Sequence, residues 1–239
     1  MKKYGLLLTA LLISVFAFSQ NRQLTETVVT SPYFIGSQDV NYDDNSSKMN
    51  QFINTNINNE NLEAGVVVAL FTINDDGSVS NISILNSVSK STDREVTACL
   101  EKSSGLWMPG HVNGKPVAME KEVHINFTDP NLPSLKDLAN MNLERGLSKF
   151  QLAEYTSIRY NLTQDQAAKK SARQFEKAIR YLETANKYQP QEPSIIFWQA
   201  RVYEKAGYEL KSADKMNRFN EITSSSYVAN TETINIKLQ

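Results

Sequence analysis

The sequence predicts an α+β protein, with a small domain of helix plus antiparallel sheet followed by an all-α domain of repeat-like helices. Three observations lead there. Between residues 65 and 127, apolar runs at strand spacing are separated by Asp-Gly and Asn-Gly turns. Beyond residue 134 the apolar residues recur at helical spacing instead. The charge changes at the same place: residues 20–130 hold 7 basic and 14 acidic side chains, a net of −7, whereas residues 131–239 hold 16 and 12, a net of +4. The 239 residues are 41% hydrophobic and 21% charged with a formal charge of −1, a composition that suits two small globular domains and not a disordered chain. Neither half is basic enough for nucleic acid.

The chain opens with Lys2 and Lys3, an apolar stretch over residues 6–18 and the small-residue pattern Ala17-Phe18-Ser19. Together these predict a signal peptide over residues 1–19, cleaved after Ser19, and export from the cytoplasm. The apolar stretch is short beside the roughly 20 residues of a membrane span. Retention as an anchor is the alternative, and no later segment is predicted to cross a bilayer. Residues 20–32 read as a polar leader. Met49, Phe52, Ile53 and Ile57 then recur at helical spacing, and Asn54, Asn56, Asn58, Asn59 and Asn61 end that helix, because Asn favours turns.

Residues 66–73 are apolar at nearly every position, which suits a strand covered on both faces. Asp76-Gly77 predicts a tight hairpin into a partner strand over residues 79–85, since the turn needs positive φ. The acids at Asp75 and Asp76 are turn chemistry; a calcium loop would need alternating oxygen ligands and a distal glutamate. Thr92-Asp-Arg-Glu95 reads as a capping box for a helix that turns Val96, Cys99 and Leu100 inward. Cys99 is the only cysteine, so it forms no internal disulfide and reads as a buried structural thiol. Trp107 with Pro109-Gly110 makes a corner, and Asn113-Gly114 a second hairpin. Val117, Met119, Val123, Ile125 and Phe127 then share one strand face, while Ala118, Glu120, Glu122, His124 and Asn126 form a polar face expected to be solvated or at an edge.

Gly65-Val-Val-Val68, Asp76-Gly-Ser-Val79, Trp107-Met-Pro-Gly110, Asn113-Gly-Lys-Pro-Val117 and a closing Val123-x-Ile125-x-Phe127 stand in an order that resembles the TonB C-terminal domain family. The resemblance covers residues 33–129, and the helix near Lys48 to Ile53 sits where that family has its first helix. It implies a periplasmic domain that binds outer-membrane receptors by pairing a sheet edge with a short receptor segment. Carried over, the pairing edge is Glu122, Val123, His124, Ile125, Asn126 and Phe127, and the mode is β-augmentation. A TonB energy transducer resembles a membrane helix and a long Pro-rich linker ahead of this domain, and neither pattern stands here. The implied function is a non-enzymatic periplasmic adaptor of a Gram-negative bacterium. The alternative is an anchored transducer component of TonB-dependent outer-membrane transport.

Residues 130–133 form a linker, and Ser134 caps a helix carrying Leu138, Leu143, Leu147 and Phe150. Thr163 and Gln166 predict a capping box for a helix running towards Tyr188. Ala178, Leu182 and Ala185, then Ala200, Tyr203 and Gly207, then Met216 and Phe219 resemble tetratricopeptide helices over residues 169–222, with a period of about 34. Within the helical domain, residues 134–222, that resemblance implies a second protein partner; a helical bundle without a ligand is the alternative. The tail, residues 223–239, alternates at period two from Thr231 to Leu238. It is either a strand docked on its own domain or a disordered segment able to pair with another sheet, and the expectation leans to partial disorder.

No catalytic constellation is legible. His111 and His124 lack neighbours at metal-ligand spacing, Glu120 and Glu122 alternate on a strand as solvated carboxylates often do, and Trp107 reads as a corner anchor. No enzyme, cofactor or metal is expected.

Overall fold

Nine consecutive residues with almost no polar side chain form the central strand β3 (Gly65–Ile73), and every residue except Leu70 and Thr72 is buried. The computed structural model describes residues 27–37, 47–156, 162–224 and 232–238, so the signal peptide expected over residues 1–19 lies outside the described residues. Strand β3 pairs antiparallel with β4 (Val79–Asn86) on one side and β8 (Met119–Thr128) on the other. The β3–β4 turn has the expected chemistry: Gly77 sits at φ +81°, and the Asp76 carboxylate accepts from the Ser78 backbone N–H at 2.9 Å. Helices α1 (Lys48–Asn56) and α2 (Lys90–Lys102) cover one face of this sheet and bury Met49, Ile53, Val96 and Leu100 against Val67, Phe71, Ile125 and Phe127.

The α2 helix starts earlier than the sequence predicts. Its cap is Ser89, whose side chain accepts from the Thr92 N–H, so Thr92 is the third helical residue and not the cap. Cys99 is 1% exposed, and burial pushes its thiol up to about 12, as a structural thiol requires. Trp107 anchors the corner beyond α2: it packs edge-on against Phe34 and Phe71 and donates Nε1–H to Ser103 Oγ at 3.0 Å.

Two small sheets tie the N-terminal residues down. Strand β1 (Val29–Thr30) joins β6 (Gly110–Val112) and β7 (Lys115–Val117), while β2 (Tyr33–Phe34) pairs with β5 (Trp107–Met108). Val29 and Thr30, placed in the leader by sequence, are therefore paired with the sheet-forming region, because β6 presents an open row of backbone groups to them.

The helical part packs through small residues. Helix α3 (Leu135–Glu154) lies along α4 (Gln164–Tyr188), followed by α5 (Pro193–Lys205) and α6 (Glu209–Thr223). Ser134 caps α3, and Thr163 with Gln166 forms the complete capping box of α4. Leu138, Leu143, Leu147 and Phe150 are only half-buried; the residues driven fully into the seam are Ala139, Gly146 and Ala153, seven apart. A Cβ on Gly146 would stand 2.9 Å from Leu182 Cγ, so the two helices approach as closely as the missing side chain allows. Ala178, Leu182, Ala185, Ala200 and Tyr203 are buried as predicted, and Gly207 ends α5 at φ +85°.

Two expectations are overturned here. The described end of the tail is docked: Glu232–Lys237 forms β9, which lies parallel to β8 and makes the order β4-β3-β8-β9. Glu122, Val123, His124, Ile125, Asn126 and Phe127 therefore belong to an interior strand and not to an edge. The reason is apolar alternation, since Ile234 and Ile236 are 0% and 2% exposed and extend the core beside Ile125 and Phe127. The polar face of β8 is solvated only in part: Ala118 and Glu120 are exposed, Glu122 and Asn126 are half-buried and His124 is buried. His124 is 7% exposed because the α4–α5 junction covers it.

Replacing Gly146 by Val should cost about 2 kcal/mol by overpacking the α3–α4 seam. Ile236→Ala should cost about 3 kcal/mol through the cavity it leaves in the sheet core. Urea unfolding of both variants measures these losses, and an unchanged midpoint for Ile236→Ala would mean that β9 is not docked.

Candidate functional site

The feature that departs most from an ordinary sheet is the narrow space between β8 and α1, which β9 fills. Leu238 N–H donates to the Thr128 carbonyl at 2.8 Å. The two-residue period of the ladder then turns the backbone groups of His124, Asn126 and Thr128 towards β9, while those of Val123, Ile125 and Phe127 turn towards β3. The same period sends the carbonyls of Asn235 and Lys237 away from β8. Asn54 Nδ2 donates to the Asn235 carbonyl at 3.3 Å and Asn59 Nδ2 to the Lys237 carbonyl at 2.7 Å. These amides satisfy backbone groups that an edge strand would otherwise expose.

Side chains fix the register. Ile234 and Ile236 stand opposite Ile125 and Phe127 on the core face, and Asn126 Nδ2 donates to Asn235 Oδ1 at 3.0 Å on the other. At the entrance, Ser47 Oγ donates to Glu232 Oε1 at 2.9 Å, and Lys121 Nζ lies 4.0 Å from the same carboxylate. The slot thus has an apolar inner wall, a wall of donors facing backbone, and a cationic mouth.

Beside it, the polar face of β8 meets the helical part. His124 Nε2 lies 2.7 Å from Glu122 Oε1, and Gln191 Nε2 donates to that same oxygen at 3.2 Å. The hydrogen bond from His124 holds the Glu122 carboxyl below its ordinary value, helped by the nearby Arg218 charge and by Gln191 and opposed by burial. Asn186 Nδ2 donates to Asn86 Oδ1 at 2.8 Å, and Asn86 in turn donates to the Val66 carbonyl at 2.6 Å. Lys187 and Glu63 close the contact with a 2.8 Å ion pair. The bonds to Glu122 and Asn86 satisfy polar groups on the sheet that the helices would otherwise strand away from water, whereas Glu63 is largely exposed.

The structure therefore brings all six residues of the expected pairing strand to one place and divides their work. Val123, Ile125 and Phe127 are core; Glu122 and His124 bind the helices; Asn126 binds β9. His111 lies apart in β6, Glu120 lies opposite Thr72, and Trp107 is a core anchor. Among the described residues, no group of three or more His, Cys, Asp or Glu side chains is placed to hold a metal ion. Sequence reasoning missed Asn54, Asn59 and Gln191. The asparagine cluster carried a signal, but it was absorbed by the end of a helix; Gln191 carried none.

Along β8 the sheet takes up a further extended strand of its own chain. Residues 58–128 match the family model of the Gram-negative bacterial TonB protein C-terminal, a non-catalytic protein-interaction domain of the bacterial envelope. That span lies inside the residues 33–129 that carry the sequence resemblance, and it ends at the last residue of β8. No curated protein matches the chain. No helix among the described residues is long and apolar enough to cross a membrane.

A folded-state carboxyl held low contributes stability above its unfolded value and loses it as pH falls through the folded one. Glu122→Gln should therefore destabilise the protein by about 1.5 kcal/mol at pH 7, the scale of a hydrogen bond to a charged group. The difference from the unaltered chain should shrink as pH drops below Glu122's ordinary value of 4.5. Thermal unfolding of both proteins across pH 3 to 7 measures the convergence, where ~pH 3 is the acid limit set by ordinary carboxyls. A gap that stays constant would place the stabilisation outside Glu122.

Proposed function

We propose that this chain is a non-enzymatic interaction module of the periplasm that binds an extended peptide of an outer-membrane or periplasmic partner. Binding is by strand pairing along Glu122, Val123, His124, Ile125, Asn126 and Phe127. The observation that carries this reading is the row of backbone groups on His124, Asn126 and Thr128, which takes up an extended segment at the end of a TonB C-terminal-type sheet. Main-chain bonds supply affinity there and alternate side chains supply selectivity. The helical part serves as a second protein surface, a reading supported by the repeat-like succession of α4, α5 and α6 and by Leu210, which stands 89% exposed.

The periplasmic reading rests on the signal pattern of residues 1–19 together with the envelope character of the matched family. An anchored role in TonB-dependent transport is the competing reading. A native N-terminus at Gln20 in the soluble periplasmic fraction supports the free module, and an intact Met1 in the membrane fraction supports the transducer.

A display library of extended peptides panned on the full chain provides binders for the direct test. Glu122→Pro and His124→Pro each remove a backbone donor and should lower the affinity of the selected peptides at least about tenfold, the scale of one lost hydrogen bond with its unpaired acceptor. Circular dichroism checks that the variants fold. Selected peptides that bind folded proline variants unchanged would sink the strand-pairing reading.

A further inference from the structure

We propose that β9 is a resident occupant of the partner's own slot. The C-terminal strand holds the β8 edge closed until an extended segment of matching pattern displaces it. This rests on the strand-pairing reading above and adds its regulation and the kind of segment it admits.

Three observations converge. First, the span matching the TonB C-terminal family ends at residue 128, with β3, β4 and β8 complete. β9 returns to that sheet only after α3 to α6, so the strand that covers β8 lies outside the unit that the family defines. Second, β9 makes the only parallel pairing among the described strands, so it is not a hairpin continuation of the meander. Third, beyond the Ser47 contact to Glu232 at the mouth, the outer wall binds β9 through its backbone: Asn54 and Asn59 donate to its carbonyls, which any extended segment presents. A wall that reads mostly backbone admits a competitor that meets the one side-chain requirement at the mouth.

The contacts of β9 define that competitor. It runs parallel to β8 and carries aliphatic residues at alternate positions to replace Ile234 and Ile236 against the buried face of Ile125 and Phe127. An acidic residue two positions before the first aliphatic meets Ser47 and Lys121 as Glu232 does. Small or polar residues fill the alternate places where Thr233 and Asn235 face the helical part.

The test locks β9 in place in the full chain. Asn126→Cys and Asn235→Cys are ladder partners and already in side-chain contact, so a disulfide can join them; Cys99→Ala removes the competing thiol. The probes are the peptides selected from the display library and a labelled heptapeptide with the sequence of residues 232–238, titrated by fluorescence anisotropy. The oxidised chain should lose at least about tenfold in affinity for the selected peptides and regain it on reduction. The heptapeptide should bind the reduced chain, and bind at least about tenfold more tightly to an Ile236→Ala chain whose own strand is weakened. Selected peptides that the prolines abolish but oxidation leaves unchanged would overturn displacement while leaving strand pairing intact. Peptides indifferent to both would sink strand pairing and this proposal with it. A heptapeptide that binds neither the reduced nor the Ile236→Ala chain would also overturn the proposal.

Discussion

A β-strand carries two rows of backbone hydrogen-bonding groups, and a strand buried in a core must satisfy both. For β8 the inner row is met by β3 and, from Val123 to Thr128, the outer row by β9. Much of the architecture follows from that second requirement. Ile234 and Ile236 must alternate to stay on the core face, α1 must stand where it can cover β9, and the asparagines at its end must answer the carbonyls that β9 turns outward. Remove β9 and a row of donors and acceptors opens beside a hydrophobic face, which is the usual condition for capturing another strand.

The polar side of the same strand shows how a second domain can be held without a large apolar interface. The sheet side contributes Glu63, Asn86, Glu122 and His124, and the helical side answers with Asn186, Lys187 and Gln191. The α4–α5 junction lies over His124, while the two hydrophobic clusters of the helical part are centred elsewhere, along α3, α4 and α5. Contacts of this kind specify register between two bodies more than they add stability, because each hydrogen bond largely replaces one to water.

Much of the fold was legible in the sequence where local chemistry decides it. The Asp76-Gly77 and Asn113-Gly114 turns, the buried run of β3, the caps at Ser134 and Thr163, and the Trp107 corner are all set by residues near in sequence. The strand segment expected to bind a partner was also located, because its apolar alternation is local. Its state was not. Whether β8 is an edge depends on residues more than a hundred positions later, and period-two alternation in a tail is equally compatible with docking and with freedom. The burial of His124 escaped for a related reason: a polar strand face looks the same in sequence whether water or a glutamine such as Gln191 covers it. The α3 seam misled differently, since its leucines drew the eye while Ala139, Gly146 and Ala153 set the distance between helices.

The pairing of Asn126 with Asn235 spans 109 positions. Closing so large a loop costs entropy that is recovered only when the final ladder forms, and such long-range pairing is characteristically slow. Because β9 follows every other described strand in the chain, its ladder with β8 can form only after the meander and the helices between them have been synthesised. Each newly made molecule thus passes through an interval in which its sheet is folded but unsealed. During that interval the outer row of β8 has no partner from its own chain, the condition under which a neighbour's strand can be captured instead.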